Sequence, residues 1–568
     1  MTGTFAGRGA DLLVECLVRA GISRLFGVPG DTGVVFYDAL HQRSNDIHHV
    51  LARDERHAAA MADGYARATN VVGTVEVSSG GGTTYVVGGL GETYASAVPV
   101  LLITSDIHRR SRGTGALTEI DQEALFSAVT KWRATVDDPR RIPEFVARAL
   151  TEITAGRPAP AALILPEDVL DETVTVPVEV FDQLAGASAV PRTRPAAPEG
   201  DIARAADLLA RAESPAILAG SGVHLSGAWA NLRRLSDKAA IPVATTIHGK
   251  GVIADDSPLS IGTAGNNGGL DEVNAQLAEA DVVLLVGTRA NATDTNGFTA
   301  PSRDATIVAI DIERDLAGRN YPGSLVLAGD ADRVLGQLAD RIPEIPQRSA
   351  RHRRADRPAP AAGELPDGQL LPAEVIHLVQ DVLGDRATVV ADPGTPTPHV
   401  AVSWRTAEAG RDVIVPRGHG PMGYAIPAAI GVAFARPDRP VLALTADGSF
   451  AMACGELETV ARYRLPIVFV QFTNHSLGWI KMLQHLYTGR RYFGVDPGTA
   501  DAAAIAEASG IRGVRARSLA DVAEAVRKAV DSREPVYLDV EVPHMIDHTP
   551  PVPAWTRALA GDAERPVY

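Results

Sequence analysis

Cysteine is almost absent from this chain of 568 residues, with Cys16 and Cys454 the only two. Two thiols cannot make a disulfide framework, so a reducing compartment suits the chain. An excess of positive charge is missing as well. The formal charge of −15 disfavours non-specific binding to nucleic acid or to an anionic membrane. No apolar run approaches the roughly 18 residues of a membrane span. The N-terminal stretch MTGTFAGRGADLLVECLVRAG meets Asp11 and Glu15 where a signal peptide would be uninterruptedly apolar. No internal repeat is visible. These absences leave a multidomain globular protein, expected in the cytoplasm, with neither nucleic acid nor membrane among its partners.

What is present is ordinary for a packed protein: 45% hydrophobic and 22% charged residues. The length exceeds what one core can organise, so about three or four domains are expected. Two segments rich in Pro, Ala and charge read as linkers, GASAVPRTRPAAPEG at 186–200 and IPQRSARHRRADRPAPAAGELPDG at 345–368. The basic run at 351–354 reads as a solvated linker face. The expected blocks are 1–185, 199–345 and 369–548, with a tail at 549–568. Each alternates short apolar runs with helical patterns: RLFGVP, TVEVSS and VPVLLITS in the first, PAILAG, ADVVLLVG and TIVAIDI in the second. The third offers ATVVAD, RPVLALTAD, LPIVFVQFTN and VYLDVEV. This alternation predicts an α/β protein of three doubly wound parallel-sheet domains.

In the third block the apolar RPVLAL runs into TADGSF (445–450), followed by AMACGELETVARY, which reads as a helix. An Asp-Gly pair at a strand end is by default a turn. A second polar residue, Asn474 of TNHS, ends the next strand 27 residues after Asp447. That separation suits one strand-helix-strand unit, with both side chains at the crevice where open sheets bind ligands. A carboxylate, an amide oxygen and a backbone carbonyl are hard ligands suited to Mg²⁺, which commonly bridges to phosphates. Gly448 and Ser449 open the following helix, where free N–H groups can hold a phosphate. In the first block LARDERHAAAMADGYARAT (51–69) has apolar residues at 58, 59, 62, 65 and 66 and predicts an amphipathic helix. Asp54 and Glu55 lie at its start, where the helix dipole favours carboxylates.

ADGSF followed by TNHS resembles the diphosphate and Mg²⁺ motif of thiamine diphosphate enzymes, with Ala446 in place of a glycine and Thr473 in place of an asparagine. The helix at 51–69 resembles that of the acetolactate synthase-like branch, with Glu55 at the activating position. LFGVPGDTG (25–33), VSSGGGTTY (77–85), ASAVPVLLITS and GTGALTEIDQEALFSAVTKW then follow in that family's order. The resemblance implies pyrimidine-binding, central Rossmann-like and diphosphate-binding domains, in that order. It implies Mg²⁺ on Asp447, Asn474 and the Ser476 carbonyl, and thiamine diphosphate against Gly448, Ser449, Gly478, Trp479 and Ile480. It puts Met422 of HGPMGYAIPAAIGVAFA behind the thiazolium, the Gly420 carbonyl on the 4′-amino group and His399 on the diphosphate side. Glu55 would bond N1′ of the aminopyrimidine and favour the imino tautomer that takes the C2 proton. That role needs a carboxyl whose proton affinity burial has raised.

The same resemblance implies a substrate pocket of Asp31, Thr32, Leu117, Thr118, Lys131 and Leu483. Acetolactate synthases carry Phe-Gln-Glu where this chain has Leu117, Thr118 and Glu119, and Trp where it has Leu483. Loss of both aromatics should widen the acceptor site. The expected reaction is therefore decarboxylation of a 2-oxo acid followed by carboligation, with an acceptor other than pyruvate or 2-oxobutanoate. A simple 2-oxo acid decarboxylase, a flavin-dependent oxidase and a non-catalytic paralogue are the alternatives. The central domain holds FAD in some members and is empty in others; GSG at 220–222 is too short a glycine motif to decide, although Arg289 matches a flavin-contacting arginine. A homodimer or homotetramer with shared active sites is also implied.

Overall fold

The computed structural model describes residues 3–345 and 365–561. The basic run at 351–354 and the end of the tail, from 562, lie outside the described residues. The chain divides into two compact units. One comprises Met1–Thr193, Pro416–Pro437 and Ala453–Leu465; the other comprises Arg194–Val415, Asp438–Met452 and Pro466–Tyr568.

The first unit is built on a six-stranded parallel sheet. Its strand order is His48–Leu51, Arg24–Val28, Gly73–Val77, Val100–Asp106, Ala161–Pro166 and Trp132–Thr135. The strands Val100–Asp106 and Ala161–Pro166 are buried at every position, as parallel strands covered on both faces should be. A two-stranded antiparallel ribbon, Thr4–Arg8 with Thr173–Pro177, lies beside it in sequence and structure. From Arg24–Val28 the chain runs outward to His48–Leu51 and then returns to Gly73–Val77. The reversal creates a crevice at the carboxyl ends of Arg24–Val28 and Gly73–Val77.

The second unit carries two more six-stranded parallel sheets. One runs Ser260–Thr263, Val243–Thr245, Ala216–Ala219, Val282–Val286, Thr306–Asp311 and Leu325–Ala328. The other runs Val413–Ile414, Thr388–Ala391, Val441–Ala446, Ile467–Thr473, Val536–Glu541 and Arg512–Ala516. The three-sheet α/β architecture expected from the alternating pattern is present.

Two expected helices have different bounds. The helix predicted over 51–69 spans Glu55–Thr69, because Leu51 pairs in the first sheet and extended Asp54 caps the helix, accepting from the Arg56 N–H at 2.8 Å. AMACGELETVARY is not one helix. The helix Asp447–Ala453 gives way to a tight turn at Cys454–Glu456, and a new helix spans Leu457–Tyr463. The turn is fixed by the fully buried Glu456 carboxylate, which takes the Arg53 N–H at 2.9 Å and the Thr459 hydroxyl at 2.8 Å and lies 3.1 Å from His57 Nδ1.

Candidate active site

In the first unit, Glu55 opens its helix at the edge of the crevice, half-buried. Its carboxyl turns toward the start of helix Gly81–Ala95, which follows strand Gly73–Val77: a Cβ on Gly82 would lie 3.3 Å from Glu55 Oε1. Burial pushes the Glu55 carboxyl above the usual glutamate range, against the pull of its own backbone N–H. The loops flanking the crevice are tied together by hydroxyls. Thr32 Oγ1 lies 2.7 Å from Ser105 Oγ and 3.2 Å from Ser79 Oγ, and Ser79 donates to Thr118 Oγ1 at 2.8 Å. Gly80 permits this closeness: its φ is +72°, and a Cβ there would stand 2.7 Å from Thr118 Cβ. Asp31 accepts the Thr32 N–H at 2.9 Å, while Leu117 beside Thr118 is 84% exposed.

In the second unit, Asp447 follows strand Val441–Ala446 as the first residue of its helix. Its Oδ1 accepts the Gly448 N–H at 2.8 Å, and its Oδ2 accepts those of Asn474 and His475 at 3.1 and 2.7 Å. Burial raises the proton affinity of Asp447 in spite of these three donors. Ala446 ends its strand outside the positive-φ residues, so alanine is no strain there. Thr473 donates to Asp539. The Gly478 N–H bonds the Ser476 carbonyl at 2.8 Å, and a Cβ on Gly478 would stand 2.9 Å from Asn474 Nδ2.

Residues 7–125 match the N-terminal TPP binding domain of thiamine pyrophosphate enzymes, 202–338 their central domain and 392–540 their C-terminal TPP binding domain. A probable acetolactate synthase large subunit of Methanocaldococcus jannaschii is 32% identical over 560 residues, covering 94% of this chain and 92% of the relative. The chain belongs to the thiamine pyrophosphate enzyme family. An acetolactate synthase of Arthrospira platensis is 31% identical with 94% of each chain covered. The mitochondrial acetolactate synthase catalytic subunit of Saccharomyces cerevisiae is 29% identical over 97% of this chain and 83% of the relative.

Seen as a thiamine pyrophosphate enzyme, the second unit can be tested for fit to a metal-bound diphosphate. The Ser449 hydroxyl is buried with no hydrogen-bond partner, one residue from the first N–H groups of the Asp447 helix. No group of three or more His, Cys, Asp or Glu able to hold a metal occurs among the described residues. Asp447 is thus a lone carboxylate with an amide and a carbonyl nearby, a donor set that leaves a divalent cation dependent on the oxygens of its own ligand. The residues present fit a metal-diphosphate group better than a bare ion.

Other expected residues have different surroundings. Lys131 is not in the crevice: its ammonium donates to the carbonyls of Ala155 and Arg157 at 2.6 and 3.1 Å, just past the C-terminus of helix Ile142–Thr154. His399 lies buried in helix Pro396–Ser403, and burial pushes its pKa down to about 3, so it is neutral near pH 7. Trp479 packs its ring on Trp555 at 4.4 Å between centroids, with Leu483 in the same cluster, whereas Ile480 is exposed. The glycines of GSG answer to packing: a Cβ on Gly222 would lie 2.5 Å from Gly287 Cα. Arg289 is exposed, its carbonyl taking the Asn320 amide at 3.0 Å.

One functional candidate escaped the sequence reading. Glu92, buried in helix Gly81–Ala95, accepts the N–H groups of Gly418, His419 and Gly420 at 3.1, 2.7 and 3.1 Å, along with the Ser96 hydroxyl and Arg67. It fixes the loop that precedes exposed Met422. A carboxylate inside an otherwise uncharged helix was the only signal for it. Glu92→Ala is expected to cost ~1–3 kcal/mol of stability by urea denaturation, because three backbone N–H groups lose their acceptor while Arg67 keeps Asp63 as its partner. A loss below ~1 kcal/mol would mean that the loop does not depend on it.

Proposed function

We propose that this chain is a thiamine diphosphate-dependent carboligase that decarboxylates a 2-oxo acid and joins the remaining fragment to an acceptor other than pyruvate or 2-oxobutanoate. The observation that carries the reading is Glu55, a carboxyl of raised proton affinity at the edge of a sheet crevice, in a chain whose two ends match TPP binding domains. Thiamine diphosphate, when bound, supplies the carbon nucleophile and the electron sink that loss of CO₂ requires. The protein's part is to hold, orient and move protons. Glu55 would hold and move a proton at its carboxyl, facing the bound cofactor. Asp447, the Asn474 amide and the Ser476 carbonyl would hold Mg²⁺, and Gly448 with the orphaned Ser449 hydroxyl would receive the diphosphate.

Met422 and Ile480, both exposed, give apolar surface for the rings. Asp31, Thr32, Leu117 and Thr118 meet the acceptor, and the row of hydroxyls formed by Thr32, Ser79, Ser105 and Thr118 favours an acceptor with a polar group. The glycines after Ala216–Ala219 are accounted for by packing, so no flavin is included. The active form is a homo-oligomer with shared sites. A panel of 2-oxo acids and aldehydes, with thiamine diphosphate and Mg²⁺, tests the reading by CO₂ release and product masses. The expected result is a ligated product with a polar acceptor; acetolactate from pyruvate alone would refute the atypical acceptor, and CO₂ with only a free aldehyde would make the chain a decarboxylase.

A further inference from the structure

Arg24 and His48 open neighbouring parallel strands of the first sheet and stand opposite each other in register. They mark the amino end of those strands, away from the crevice at the carboxyl ends. A cleft of about 520 Å³ opens there, lined by Arg24, His41, His48, His49, Phe434 and Tyr463, all of the first unit. Leu40 and Ile47 give it an apolar side. Its volume falls in the range of about 300–1,000 Å³ usual for pockets that take small organic ligands.

The walls hold one another in place. The Arg24 guanidinium lies over the Phe434 ring, 4.3 Å from its centroid, and the Tyr463 ring stands edge-on to Phe434 at 5.3 Å. The Tyr463 hydroxyl donates to the His49 carbonyl at 3.3 Å, and His49 Nε2 is 3.0 Å from the Tyr37 hydroxyl. Stacking occupies one face of the guanidinium and leaves its N–H fork free to bond in its own plane. Among the described residues Arg24 has no ion pair and no side-chain hydrogen bond, and no Asp or Glu lines the cleft. Burial pushes the Arg24 pKa below the ordinary arginine value, and only the phenols of Tyr65 and Tyr463 support the charge. Carboxylates are not scarce in this chain, whose 69 Asp and Glu outnumber its 54 Lys and Arg. A half-buried fork of this kind gains most from a carboxylate or phosphate held bidentately.

We propose that this cleft binds a small organic anion. Its carboxylate or phosphate is taken by the Arg24 fork, with the exposed His41 and His48 rings as further donors, and its apolar body lies against Leu40, Ile47 and Tyr463. The site is separate from the sheet crevice and does not rest on the reading of Glu55.

The test is a calorimetric titration of the full chain, with thiamine diphosphate and Mg²⁺ in excess throughout so that the diphosphate-binding residues are not what the probes report. The probes are phenyl phosphate and benzoate, with inorganic phosphate and acetate as counterparts that lack the ring. At least one aromatic anion is expected to bind about tenfold or more tightly than its counterpart, because the ring buries apolar surface. Which of the two does so identifies the anionic group. Arg24→Gln should weaken that binding about 10–100-fold, the worth of a charge-assisted bond. Arg24→Lys keeps the charge without the fork and should recover only part of the loss. The double variant His41→Gln with His48→Gln alters exposed side chains alone, so it keeps the test open if the Arg24 variants fail to fold. It should weaken binding by a clear factor, smaller than that of Arg24→Gln. Affinity equal to that of the wild type in either folded variant overturns the site, as does the absence of heat from every probe at millimolar concentration. Aromatic anions that bind no better than inorganic phosphate and acetate overturn the organic ligand.

Discussion

Glu55→Gln is expected to leave a folded protein that binds thiamine diphosphate and releases CO₂ from its 2-oxo acid about 10³-fold more slowly. Proton transfer by a positioned side chain contributes roughly 10²–10⁴ in rate. Glutamine fills the same space at the start of the helix and can still bond a ring nitrogen, but it cannot take or return a proton. The loss should therefore fall on kcat, with the cofactor's dissociation constant changed by less than about tenfold. Stopped-flow CO₂ release together with a fluorescence titration of the cofactor separates the two. A rate within tenfold of the wild type would remove Glu55 from the chemistry.

Asp447→Ala should fail at the other end, in binding rather than turnover. The change removes the only carboxylate of the proposed metal set and frees three N–H groups that Asp447 now orders. Loss of residues that merely support a metal ligand costs 10–100-fold in affinity, so loss of the ligand itself should weaken thiamine diphosphate binding by at least ~100-fold. Calorimetric titration in Mg²⁺ should show this, and a chelator should reduce the wild type to the same weak binding. Equal affinity in variant and wild type would move the metal elsewhere.

The elements and chemistry that were legible in the sequence share one property: they depend on neighbours in the chain. The apolar strands were visible because parallel strands buried on both faces are apolar throughout. The closeness of Asp447 and Asn474 was legible because each follows the end of one of two successive, paired strands. Boundaries were less legible. Leu51 has a residue type that suits a helix, and only its pairing with Gly27 makes it a strand. The break in AMACGELETVARY depends on Glu456 reaching Arg53 and His57, some four hundred residues away in sequence. Side-chain destinations were hidden for the same reason. Lys131 matched a motif, but the carbonyls that hold it belong to a helix end that the motif does not include.

The helix Ala425–Ala435 lies against the helix Glu55–Thr69 so closely that neither contact point tolerates a side chain. A Cβ on Gly64 would be 2.3 Å from the Ala428 carbonyl oxygen, and one on Gly431 would be 1.9 Å from that of Met61. The partners lie far apart in the sequence, yet they form a single backbone-to-backbone joint. A recombination that exchanges the first block of this chain with that of a relative would keep each block's own sequence and still break the joint. Viable crossovers should therefore transfer 416–437 and 453–465 together with 1–193, treating the three stretches as one heritable module.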